Sequence, residues 1–198
     1  MELDGPSLLL RPPEPADAPA LLELGADEEV VRWFSWGPYR SLDEPLAYIA
    51  EQARRREEGV QLDLLMVHRV DGPVGITGLS EVSRRDRRAM IGTWFGRRWW
   101  GSGLNLESKA LMTWLAFAAC GMQRVGAYAD VRHERSHRAL EKVGFTREGV
   151  LRGWHRHGDE QKDVAVYGML RAEWESSELL RGFEPQLRGE VPAGFVLA

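Results

Sequence analysis

The stretch Trp94-Phe95-Gly96-Arg97-Arg98-Trp99-Trp100-Gly101-Ser102-Gly103-Leu104-Asn105 constrains this chain more than any other. An apolar strand runs into a Gly-x-Gly turn, and the turn opens directly into a helix that reaches about Cys120. Glycines there let the backbone approach a ligand closely, because they carry no side chain and accept unusual dihedrals. The unpaired N–H groups of the first helical turn then face the loop, and the helix dipole favours an anion among them. A pyrophosphate fits that description. A Walker A loop would end in Gly-Lys-Ser/Thr, whereas Gly103 is followed by Leu104-Asn105. A dinucleotide fingerprint needs a third glycine where Leu106 stands, and its βαβ unit is expected early in a domain rather than after residue 90.

The rest of the chain reads as mixed α/β. Leu8 to Arg11 is a short strand, and Pro15 opens a helix through about Gly25. Ser41-Leu42-Asp43-Glu44 is a capping box, behind which Leu46, Ile49, Ala50 and Ala53 share one helical face. Strands at about 62–69 and 74–81 meet at the hairpin pair Asp71-Gly72, and a second hairpin turns through Arg84–Arg88 into the strand Met90–Phe95. The loop helix carries Leu104, Ser108, Leu111, Leu115 and Ala118 on one face, with Glu107 on its outward side. Val125–Asp130 is apolar on both faces and therefore central. A helix at 133–143 stops at Gly144. Strands at about 148–155 and 164–170 form an antiparallel pair, followed by a closing helix at 173–180. One domain over 1–180 is expected, with 181–198 as an extended C-terminal arm rich in glycine and proline.

Composition agrees with one domain: 198 residues can bury a sizeable core, and 43% are hydrophobic. No apolar run approaches the ~20 residues of a membrane span, and the start lacks the basic end of a signal peptide. A net charge of −4 argues against broad nucleic-acid binding. The single cysteine, Cys120, rules out an internal disulfide framework and suits a reducing cytoplasm. Only three of the 26 lysines and arginines are lysine: Lys109, Lys142 and Lys162.

A third reading of the glycine loop, coenzyme A held by an acyltransferase, gains support from Asp130 through Phe145 downstream. Those two segments, in that order and spacing, resemble the GNAT superfamily of N-acetyltransferases, and within it the RimJ/RimL-type branch. Leu8-Leu9-Leu10-Arg11-Pro12 looks like that branch's "LRP" first strand, and Ile91-Gly92-Thr93-Trp94 like its "IGYW" strand. Trp100-Gly101-Ser102-Gly103 looks like its "WGxG" loop, Ser136 through Phe145 like its "SxRxLEKxGF" helix, and Gly158 with Asp163–Tyr167 like its ending. The resemblance spans about residues 6 to 175. It implies a central, mostly antiparallel twisted sheet with a splayed parallel strand pair, flanked by helices. It also implies acetyl-CoA as co-substrate, no metal, and direct attack by a primary amine, such as a protein N-terminus or a small-molecule amine.

On the residues, the resemblance implies cofactor contacts from Phe95, Trp100, Gly101, Ser102, Gly103, Leu104 and Asn105. Trp100 and Asn105 stand where the wider superfamily has Gln/Arg and a small residue, which backbone-mediated phosphate contact tolerates. His133 replaces the asparagine that opens the next helix and contacts cofactor, Met90 replaces a common strand glutamate, and Leu140 replaces a frequent general-acid tyrosine. That last change turns attention to Ser136, which shares a helix face with Ala139, Leu140 and Val143. Its hydroxyl either bonds back to the carbonyl four residues earlier or, as the resemblance implies, serves the departing thiolate. The oxyanion needs a fixed donor, which by resemblance is the Phe95 N–H. His155 falls where RimL-type enzymes carry a glutamate proposed as base, and an imidazole titrates closer to neutral pH than a carboxylate. A solvated strand-end histidine beside His157 is the alternative.

Trp33 and Trp36 are either core or the wall of an acceptor cleft. Cys120 reads as a buried structural thiol rather than a nucleophile, and His133, His137, His155 and His157 show no zinc-like spacing. Arg84-Arg85-Asp86-Arg87-Arg88 reads as a solvated hairpin turn rather than an RNA contact. Two alternatives remain: a longer donor such as succinyl-CoA, and a non-catalytic acyl-CoA-binding protein. Expected partners are acetyl-CoA and an amine acceptor, with no membrane and no direct nucleic acid; a homodimer is compatible.

Overall fold

The computed structural model describes residues 1–197. The N-terminal strands are β1 (Glu2–Asp4) and β2 (Leu8–Arg11), followed by helices α1 (Ala18–Gly25) and α2 (Glu28–Val31). Helix α3 (Asp43–Glu57) leads into β3 (Leu62–His68), β4 (Gly72–Ser83) and β5 (Arg88–Phe95). Then come α4 (Leu104–Trp114), β6 (Arg124–Asp130), α5 (Glu134–Val143), β7 (Thr146–His157) and β8 (Glu160–Leu170). Helices α6 (Arg171–Ser176) and α7 (Glu178–Arg181) and strand β9 (Gln186–Arg188) close the chain. The sheet order is β7-β8-β6-β5-β4-β3-β2-β1-β9, antiparallel throughout except for β5 and β6.

That one parallel contact positions the site. β5 pairs with β4 along most of its length, and β6 pairs with β8 through all seven of its residues. Between them only Arg88, Ala89 and Met90 meet Arg124, Val125 and Gly126. Each strand is thus held by its outer neighbour, and beyond Met90 the pair parts. Gly126 permits the close approach at the apex, since a Cβ there would lie 2.5 Å from the Met90 sulfur.

The two sheet faces are separately covered. Ile91 and Phe95 pack into a core with Ala110, Leu111 and Leu115 of the α4 side. Ile76 and Leu65 pack on the other face with Ala18, Leu21 and Ile49 of α1 and α3, Trp94 against them. In α3 the buried positions are Pro45, Ile49 and Gln52, while Ala50, expected on that face, is exposed. Glu44 does close the helix start, accepting the Ser41 N–H at 2.8 Å.

Three expectations need correction. Glu107 faces inward, 6% exposed, and its Oε1 accepts the N–H groups of Ser7 (2.7 Å) and Leu8 (2.8 Å) at the start of β2. A carboxylate there joins the loop helix to the start of β2, where no strand takes those donors. Ala118 is exposed, whereas Ala116 and Phe117 are buried, because the last turn of the loop helix is a π turn over Leu115–Ala119. One extra residue in a turn rotates everything after it by about 100°. The segment from 181, expected as an arm, adds β9 to the sheet against β1 and buries Phe195 completely. The Leu197 N–H bonds the Cys120 carbonyl at 2.9 Å, and Arg84 holds the Gly194 carbonyl at 2.7 Å. So the arginine turn is partly a clasp on the C-terminal segment, with Arg85 left in solvent.

Candidate active site

Beyond Met90 the parting strands open into a cavity of about 760 Å³ that runs to the start of α4. Its backbone donors follow from the ladder. The Gly96 N–H bonds the Val74 carbonyl at 2.9 Å, and Gly75 pairs with Phe95. Gly75–Phe95 is therefore a non-hydrogen-bonded pair, and the Phe95 N–H points away from β4, into the splay. Thr93, two residues earlier and opposite Thr77, presents its N–H the same way. The Phe95 carbonyl, on the same edge, accepts the Trp100 indole N–H at 3.0 Å, which folds the loop back onto the strand end.

The loop has the form the sequence suggests. Gly101 (φ +79°) and Gly103 (φ +91°) lie in the left-handed region, and a Cβ on either would meet no atom within 4 Å. Gly103 caps α4 with no side-chain bond; the Leu104 N–H makes a long 3.4 Å contact to Ser102 Oγ, and the Leu106 N–H turns back to the Gly103 carbonyl at 3.0 Å. The first turn of an eleven-residue helix thus meets open space with the Asn105 N–H unclaimed and the Leu104 N–H only weakly held. Trp100, Gly101, Gly103 and Asn105 line the cavity. Ser102 and Leu104 do not: the Ser102 hydroxyl donates to the Trp99 carbonyl at 2.7 Å, and the Leu104 side chain belongs to the core.

Helix α5 supplies the facing wall. Ser136 is half-buried, lines the cavity, and its hydroxyl has no partner among the described residues; the back-bond to a preceding carbonyl is not formed. His133 stacks on Trp33 with centroids 4.5 Å apart, and its Nε2 is buried without a partner. Burial, assisted by Arg135 and His137 and opposed by Asp130, brings His133 down to about 4, so its ring is neutral. Arg135, which no sequence motif singles out, lies over the Trp100 ring at 3.4 Å. A guanidinium beside an open helix N-terminus strengthens the case for an anion there. The one signal for it in the sequence is a basic residue in the first turn of the helix after the central strand.

On the other flank Trp33 lines the cavity, but Trp36 does not. Trp36 stacks on Tyr39 (5.2 Å) and tilts against Trp94 (5.4 Å), and it lines a neighbouring shallow hollow with Glu28 and Arg40. His155 also lines the cavity, edge-on to Tyr128 at 5.4 Å and stacked with His157 at 6.3 Å. The Tyr128 hydroxyl donates to Glu81, which sits at φ +49° within a bulge of β4. Met90 and Leu140, the two replaced positions, contribute apolar wall.

Other candidates are structural. Asp163 accepts the Gly153 N–H at 2.7 Å and pins the bulge of β7. His137 bridges the buried Tyr167 hydroxyl (2.9 Å) and the Val131 carbonyl (3.2 Å), locking α5 onto β8. Burial pushes the Cys120 thiol up to about 12, which leaves it un-ionised and inert. Among the described residues, no three His, Cys, Asp or Glu side chains converge as a metal site, and no helix is long and apolar enough to cross a membrane.

Comparison with known proteins bears on this geometry. A family model described as "Acetyltransferase (GNAT) domain" matches residues 7–146. The "Uncharacterized N-acetyltransferase YoaA" of Bacillus subtilis (strain 168) is 28% identical over 173 residues, covering 85% of this chain and 96% of that protein. The "Putative ribosomal N-acetyltransferase YdaF" of the same strain is also 28% identical, over 83% of this chain and 92% of its own length. A solved structure of a "putative acetyltransferase" from T. thermophilus superposes with a TM-score of 0.78 at 30% identity, over 88% of this chain and 91% of that one.

Proposed function

The chain belongs to the GNAT acetyltransferase family and is an N-acetyltransferase; on that premise we propose that it transfers an acetyl group from acetyl-CoA directly to a primary amine. One observation carries the reading most: the splay of β5 and β6 exposes the Phe95 N–H and leads straight to the bare N-terminus of α4. Family relatives have been captured with acetyl-CoA or coenzyme A. In this chain the first-turn N–H groups of α4 and the Arg135 guanidinium would take the pyrophosphate. The pantetheine would run along the open edge of β5, where the unpartnered His133 Nε2 offers an acceptor or donor for its amides. The thioester carbonyl would lie on the Phe95 N–H, which stabilises the oxyanion as the amine attacks.

Ser136 then hydrogen-bonds the departing sulfur, as its unclaimed hydroxyl on the cavity wall allows. His155 receives the proton released by the attacking nitrogen. An α-amine, with a reference value near 8, has a useful neutral fraction near pH 7, whereas a lysine side chain near 10.4 does not. A site with one modest base therefore favours an N-terminal or similarly acidic amine, in keeping with the likeness to a RimJ/RimL-type branch. The test is thiol release from acetyl-CoA with a panel comprising peptide α-amines, lysine ε-amines and polyamines. Turnover confined to the α-amines supports the acceptor class, and release with none of them removes it.

A further inference from the structure

Lys109 is a buried charged group of the cavity that this chemistry leaves unused. It projects from α4 into the cavity wall, 5% exposed, and its Nζ donates to the Thr93 hydroxyl on β5. That hydroxyl contacts Thr77 Oγ1 at 2.8 Å and donates to the Gly92 carbonyl at 2.7 Å. No carboxylate comes near. Glu107, on the same helix, is turned to the β2 N–H groups, Asp130 on β6 is engaged by Arg132, and Glu81 on β4 faces Tyr128. Helix α5 presents Ser136, Arg135 and Lys142 to the cavity, and β7 brings His155 and His157. A buried ammonium without a counter-ion is costly, and such a group is retained where its charge or its proton is used. Burial alone pulls Lys109 down to about 7.

We propose that Lys109 is the proton donor to the departing thiolate of coenzyme A. The inference rests on acyl-CoA occupying the splay. Thr93 lies two residues, about 7 Å of strand, from Phe95, and its side chain shares the sheet face covered by α4. Lys109 and Ser136 thus stand on the same side of the sheet, across from the cleft aromatics Trp36 and Trp94. When the tetrahedral adduct collapses, the carbon–sulfur bond breaks and its electron pair stays on sulfur. A serine hydroxyl can hydrogen-bond that thiolate, but an alcohol is too weak an acid to give its proton up. The Lys109 ammonium offsets the charge gathering on that sulfur and transfers one proton to it. The neutral amine that remains is the form burial favours, and it regains a proton from water as the thiol product leaves.

The experiment needs no acceptor. Coenzyme A bound to the protein is titrated from about pH 5 to about pH 10, bracketing the ordinary thiol value, by the ultraviolet absorbance of its thiolate. Wild type is compared with Lys109→Met and Lys109→Gln. In wild type the nearby ammonium should let the bound thiol ionise at least about one pH unit lower than in either variant, a tenfold shift. Lys109→Met should melt no lower than wild type at neutral pH, because it removes an unpaired buried charge. Thiol titrations that coincide in all three proteins overturn the inference while leaving the acetyl-CoA reading intact. Calorimetry showing no coenzyme A binding by wild type overturns both. If Lys109→Met fails to fold, Lys109→Gln, which keeps a donor for Thr93 but no titrating proton, carries the comparison.

Discussion

Gly103 offers the sharpest test of where the cofactor phosphates sit. Replacing it with alanine adds a Cβ that meets no protein atom within 4 Å, so the packed structure itself does not resist. Two costs remain. Holding an L-residue near φ +91° costs roughly 1–2 kcal/mol of folding stability. The new methyl also projects beside the bare first turn of α4, where a bound pyrophosphate would need the space. A tenfold loss of coenzyme A affinity, about 1.4 kcal/mol, is the minimum expected. Gly144 separates the two costs. It ends α5 at φ +99°, and its Cβ would stand 3.7 Å from Met169 Cε, an ordinary contact. Gly144→Ala should therefore lose a similar amount of stability in urea melts and bind coenzyme A as wild type does in isothermal titration. Equal affinities for Gly103→Ala and Gly144→Ala would refute the assignment of the loop.

Three further outcomes are expected. Ser136→Ala should lower kcat while leaving the acetyl-CoA Kd within about threefold, the pattern of an interaction made chiefly in the transition state; an unchanged kcat reduces the hydroxyl to cavity lining. His155→Gln should lower kcat/KM at least about tenfold while leaving the acetyl-CoA Kd unchanged, and an unchanged kcat/KM removes His155 as base. For His133, the folded ring takes up a proton only at about 4, against 6.5 for the ordinary value, so the unfolded chain binds more protons between them. Stability should thus fall with acid across that window by about 1–2 kcal/mol, after discounting the solvent-facing part of the ring. Urea melts at the two ends should show a smaller loss in His133→Phe, which keeps the Trp33 stack.

The legible parts of the sequence are those where a local pattern has one physical solution. Gly101 and Gly103 before a helix, Asp71-Gly72 between alternating strands, and Gly144 after an amphipathic run each announce their geometry. Ser136 is legible because helical spacing places it on the buried face with no local need for a hydroxyl. What escapes are contacts between distant segments. Glu107 reads as a surface residue until β2 arrives, about a hundred positions away in sequence, with two unpaired N–H groups. Lys109 is one of three lysines and carries no motif; only the crossing of α4 over Thr93 reveals it as buried. The π turn has no spacing of its own to read, and it shifts Ala118 out of the face that a uniform helix would give it. The C-terminal segment hides its role behind glycines and prolines, although Leu187, Phe195 and Leu197 already mark it as apolar at intervals.

The departures from the family pattern fall in one class, and that explains why the site survives them. Trp100 and Asn105 in the loop, His133 at the head of α5, Met90 on β5 and Leu140 on α5 all change side chains. The groups that define the site are backbone: the Phe95 N–H aimed by the β4–β5 ladder, the bare turn of α4, and the gap left when β5 and β6 part after Met90. Those persist as long as the ladder register persists. Side chains are then free to redistribute the proton chemistry. Leucine at 140 leaves the wall without a phenol, Ser136 keeps an unclaimed hydroxyl, and Lys109 stands behind the same wall with a proton it holds weakly. On the acceptor side, methionine at 90 stands where the family often has a carboxylate, and His155 beside Tyr128 is the proposed base. In the proposed reaction one proton leaves nitrogen toward His155 on one side of the sheet, and one reaches sulfur from Lys109 on the other.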